Sequence, residues 1–113
     1  MEVFNPEYEK EILRGIEWYT KKRGKLAGEE ELKGTNIMEL RQFYGIKDPF
    51  VLPEGVTYDE AYDAGYDPYM VGGCYVIDEE KAKLLQPFIG HKMKLDKYDY
   101  FLCAYQRPTS EAR

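Results

Sequence analysis

Aliphatic residues alone cannot build the core of this chain. Leu, Ile, Val and Phe together make up only 25 of its 113 residues, whereas tyrosine occurs 11 times and outnumbers the nine leucines. A globular domain of this length has to bury a contiguous apolar core. Tyrosine must therefore stand in for leucine, with each buried ring bringing a hydroxyl that needs a partner or water. The length fits one domain over residues 1–113, and the tail 107–113 is expected to fray.

Punctuation along the chain divides it into short elements. Asn5, Pro6, Glu7 and Glu9 form a helix start. Tyr8, Ile12, Ile16 and Tyr19, with Leu13 beside them, recur at helical spacing, and Lys21-Lys22-Arg23-Gly24 resembles a helix end. The pattern predicts one helix from residue 6 to about 23, followed by a polar link over 24–34. A second helix is expected over 36–44, capped by Asn36 or Thr35 and closed by Gly45. A third is expected over 58–64, capped by Thr57 and closed by Gly65. Residues 70–77 read as a strand with a bend at Gly72-Gly73. Asp78 caps a helix over 79–86. Residues 92–95 and 98–105 read as two strands of a hairpin. Apolar residues on both faces of the last strand place it centrally. The expected class is α+β: N-terminal helices packed on a small, mainly antiparallel C-terminal sheet with one intervening helix.

Charge is segregated along this frame. Residues 54–80 hold eight acidic side chains, five tyrosines and no Lys or Arg, whereas residues 81–113 carry a net charge of +4. The whole chain is at −5, which disfavours a generally basic nucleic-acid binder. Tyrosine interleaved with acids supplies rigid contact area, and the acids steer a basic partner. The candidate partner-binding residues are Tyr58, Asp59, Glu60, Tyr62, Asp63, Tyr66, Asp67 and Tyr69. The competing reading is that the two ends fold back and neutralise this segment.

Catalytic signals are weak. Cys74, Cys103 and the single His91 could form a nucleophile pair, but nothing in their spacing singles them out. Both cysteines fall in apolar strand positions, where a buried free thiol is the expected role, with a disulfide as the alternative if the two strands are adjacent. Asp59 and Asp63 would lie one turn apart, without the spacing of a calcium loop. No catalytic residue, metal or cofactor is expected. The sequence reads without a leader or membrane span, hence cytoplasmic. The expected function is a non-enzymatic binding or regulatory protein that acts through an acidic, tyrosine-rich surface on a partner with a basic surface. An inhibitor of the phage or mobile-element type is one such protein. The alternatives are a ligand- or nucleotide-binding domain or small enzyme near Gly72-Gly73 and His91, and nucleic-acid binding by clusters such as Lys21-Lys22-Arg23 and Lys92 to Lys97.

Overall fold

The computed structural model describes residues 4–51 and 54–106. The expected helix over 6–23 is replaced by a short helix and a strand. Helix α1 spans Pro6–Lys10, and the Asn5 side chain accepts hydrogen bonds from the backbone N–H groups of Glu7 and Tyr8. The chain then turns at Glu11 and extends as β1, Ile12–Thr20. Residues 12–20 carry a second periodicity beneath the helical one. Ile12, Arg14, Ile16 and Trp18 point to one face, and Leu13, Gly15, Glu17 and Tyr19 to the other. Isoleucine, tryptophan, tyrosine and threonine all favour the strand. Gly15, a poor residue inside a helix, lets β1 approach its neighbour: a Cβ there would lie 2.7 Å from the Glu30 carbonyl oxygen.

The basic cluster read as a helix end is a hairpin turn. Thr20 N–H donates to the Lys25 carbonyl, and Gly24, at φ +63°, donates back to Thr20. Strand β2, Leu26–Glu31, replaces the expected polar link. Helix α2, Ile37–Phe43, follows the expectation closely. Asn36 caps it, and the N–H groups of Gly45 and Ile46 return to Gln42 and Arg41. Helix α3, Tyr58–Asp63, is capped by Thr57 and closed in the same manner at Gly65 and Tyr66. The expected strand over 70–77 shrinks to β3, Tyr75–Ile77. Helix α4, Glu79–Leu85, is capped by Asp78 and runs into a 3-10 turn at Gln86–Phe88. Residues 92–95 form no strand, and a turn at 94–98 leads into β4, Tyr98–Gln106.

The four strands form one antiparallel sheet in the order β2-β1-β4-β3. The protein is an α+β fold, but half of its sheet comes from the N-terminal third. Strand β4 is central, as its apolar faces imply.

The core lies on one side of the sheet. Ile16, Leu102, Tyr100 and Ile77 project from the strands to meet Ile37 and Leu40 of α2 and Ala82 and Leu85 of α4. A second cluster joins Ile12, Phe50 and Tyr69 to Phe4 and Tyr8. Tyrosine does substitute for leucine, since Tyr69 and Tyr100 are both buried. Their hydroxyls are used: Tyr69 accepts from Asn5 N–H, and Tyr100 accepts from Lys94 N–H. Among the described residues, no helix is long and apolar enough to cross a membrane.

Candidate functional site

The face of the sheet opposite the core carries no packed helix among the described residues. Register determines what it displays. Leu13 pairs with Tyr105, Gly15 with Cys103, Glu17 with Phe101 and Tyr19 with Asp99 across β1 and β4. Glu29 and Glu31 join from β2, and Val76, 63% exposed, from β3. The result is a surface of half-buried aromatics rimmed by carboxylates. Tyr19 packs edge-on against Phe101.

Glu17 is the organising group of this face. The Tyr19 hydroxyl donates to Oε1 at 2.5 Å, and the Tyr105 hydroxyl donates to Oε2. The hydrogen bond to Glu17 pushes the Tyr19 phenol above its ordinary pKa. Burial, followed by the hydrogen bond to Glu17, raises that of Tyr105. Both phenols stay protonated as donors at neutral pH, which fixes the carboxylate in place.

Cys74 and Cys103 form a disulfide on this face, so the buried-thiol expectation is corrected. Cys103 faces away from the core, and β3 brings Cys74 opposite it. One carboxylate oxygen of Glu17 and both sulfurs lie within 4.8 Å of one another. These are metal-ligand atom types, but a metal would need thiolates, and here the sulfurs are bonded to each other.

The residues singled out between 58 and 69 separate into two sets. Asp59, Glu60 and Asp63 are exposed on α3, and Tyr62 is 41% exposed. The Tyr62 ring covers Gly72 and Gly73, where a Cβ would clash with it. Asp59, Glu60 and Asp63 form no ion pair with a cation among the described residues. Tyr66 is half-buried, and its hydroxyl lies within hydrogen-bond reach of the Pro49 and Val51 carbonyls. Asp67 and Tyr69, each 5% exposed, belong to the interior. Asp67 accepts hydrogen bonds from Val71 N–H, Gly72 N–H and the Tyr75 hydroxyl, and so holds the loop into β3. A partner cannot reach these two side chains in this fold. The Tyr58 side chain lies outside the described set.

His91 has a different role from the one a nucleophile pair requires. It lies on the core face, against Trp18 and Tyr100, while the disulfide lies on the other face. The sheet therefore separates the histidine from both sulfurs. The hydrogen-bond network assigns its tautomer: Nδ1 donates to Glu30 Oε1 at 2.7 Å, and Nε2 faces the Tyr100 hydroxyl at 3.4 Å. Gly90 N–H also donates to Glu30. Together these contacts clamp the loop after α4 onto β2.

The clamp makes a prediction. The Gly90 N–H, and next the His91 hydrogen bond, hold the Glu30 carboxyl below its ordinary 4.5. Its stabilising contribution is therefore complete above about 4.5 and fades as pH falls through the lower folded value. In urea titrations, Glu30→Gln should be less stable than wild type near neutrality, and the gap should close below about pH 4.5. A gap that persists at lower pH would contradict the clamp.

A family model described as a domain of unknown function (DUF7683) matches residues 60–103. The match covers less than half of the chain and includes the C-terminal part of α3, β3, α4 and both cysteines. No curated protein matches the chain.

Proposed function

We propose that the chain is a small non-enzymatic binding protein that meets a basic protein surface through acidic, tyrosine-bearing faces. The observation that carries this reading is the uncovered sheet face, where Tyr19, Phe101 and Tyr105 lie among Glu17, Glu29, Glu31 and Asp99. Isolated surface apolar residues are ordinary, but a contiguous patch on a sheet face is typical of a contact surface. The exposed part of α3, with Asp59, Glu60, Tyr62 and Asp63, forms a second acidic patch, and Tyr58 and Tyr66 belong to the same proposed set. A protein of this size and charge suits an inhibitor that occupies a basic or nucleic-acid-binding surface of its partner, of the kind that phages and mobile elements encode. A cytoplasmic location belongs to the same proposal, and in that compartment a disulfide is responsive rather than permanent.

Charge reversal tests the reading. The tagged chain, Glu29→Lys with Glu31→Lys, and Asp59→Lys with Glu60→Lys and Asp63→Lys are each used to capture proteins from the native cell. A basic partner recovered by wild type should be captured about tenfold less by at least one variant at low salt. Equal capture by all three would contradict the proposal. Salt-sensitive binding of DNA or RNA to the isolated chain would instead support the basic clusters as the site.

A further inference from the structure

We propose that the Cys74–Cys103 pair is a directional thiol–disulfide exchange site, in which an incoming thiolate attacks Cys74 Sγ and Glu17 restrains the attack. The bond joins Cys103 of β4 to Cys74, the residue just before β3. Tyr75 pairs with Leu102, so Cys74 faces Cys103, with Cα atoms 4.5 Å apart. The two sulfurs differ in access: Cys74 is exposed, whereas Cys103 is 3% exposed. Cys74 opens into a groove of about 390 Å³ lined by Glu17, Tyr19, Asp99 and Phe101. That space admits a small thiol or the cysteine of a peptide. Exposed disulfides are the labile class, and exchange rates depend on which sulfur can be reached.

The reaction partner is a thiol reductant, and a dithiol completes the cycle. Its thiolate bonds to Cys74 Sγ as the Cys74–Cys103 bond breaks. The electron pair leaves on Cys103 Sγ, which takes a proton from solvent. The second thiol of the reductant, once deprotonated, attacks the reductant sulfur of the mixed disulfide. Cys74 leaves as a thiolate and is protonated in turn. The dithiol loses two electrons, and the cysteine pair gains them.

Glu17 opposes the first step on both sides. Its carboxylate lies within 4.8 Å of both sulfurs, so it repels the incoming thiolate and disfavours charge on the departing Cys103. The hydroxyls of Tyr19 and Tyr105 hold that charge in place. A mixed disulfide at Cys74 would tether its cargo on the open sheet face. The exchange chemistry itself does not depend on the binding function proposed above.

Two measurements on the oxidised full chain test the proposal. In the first, reduction by excess dithiothreitol at one alkaline pH is followed by alkylation and intact mass. Glu17→Gln should be reduced about tenfold faster than wild type, and the gap should narrow at high salt. In the second, wild type is treated with glutathione, alkylated and mapped by peptide mass. Glutathione should be found on Cys74 and the alkyl group on Cys103. Equal rates for Glu17→Gln and wild type would overturn the role of Glu17, and glutathione on Cys103 would overturn the direction. The mapping needs no variant, so it decides even if Glu17→Gln fails to fold.

Discussion

Replacing Cys74 and Cys103 together by alanine should lower the unfolding free energy by about 3.5 kcal/mol, the loop-closure value for a bridge across about thirty residues. The bridge spans a sequence separation of 29 and ties the residue just before edge strand β3 to central strand β4. Among the described residues, three residue pairs otherwise register β3 against β4. In a domain of this size the melting temperature should fall by roughly 10–15 °C. Urea unfolding of the double variant checks the figure, with wild type measured both oxidised and reduced. The reduced wild type should fall close to the double variant. A loss below about 1 kcal/mol would mean that the bridge contributes little to the folded state.

The second large effect concerns Asp67. Its carboxylate is buried and receives two backbone N–H groups and the Tyr75 hydroxyl. Asp67→Ala removes the acceptor and leaves those half-buried donors without it, at a cost of about 2–3 kcal/mol. Asp63→Ala, four residues earlier on an exposed helix position, should cost about 0.5 kcal/mol or less. The contrast matters because local sequence treats the two alike, both being aspartates in the same acidic, tyrosine-rich run. Denaturant midpoints of the two variants separate them. Similar midpoints would show that Asp67 does not organise the loop as described.

Helix boundaries were the most legible part of this fold. Asn36, Thr57 and Asp78 each accept a hydrogen bond from the backbone N–H three residues on, and Gly45 and Gly65 sit at positive φ where the stops were expected. Such signals are local, so they can be read from a few adjacent residues. Strand β4 was legible for a related reason: its alternation is uninterrupted and apolar on both faces.

Strand β1 was not legible, because residues 12–20 satisfy two periodicities at once. The choice between them is made by pairing with residues 98–106, from 78 to 94 positions away along the chain. A helix over residues 12–20 leaves no place for the open sheet face, which β1 helps to form. Its residues come from four strands, and Glu17, Tyr19 and Tyr105 converge only through register. The signal that was available was Gly15, which suits close strand approach better than a helix interior. The disulfide depended on the same missing topology: Cys74 and Cys103 meet only if β3 and β4 are neighbours. Within 58–69, exposure rather than composition distinguishes Asp59, Glu60, Tyr62 and Asp63 from Asp67 and Tyr69.

The claim that the uncovered sheet face is the contact surface can be tested by solution NMR. The ¹³C-methyl and aromatic signals of the chain would be followed while the captured basic partner is titrated in. The largest shifts should fall on Leu13, Tyr19, Val76, Phe101 and Tyr105, while Ile37, Leu40 and Leu85 in the core move little. Shifts confined to the helices, with the sheet-face residues unchanged at saturation, would contradict it.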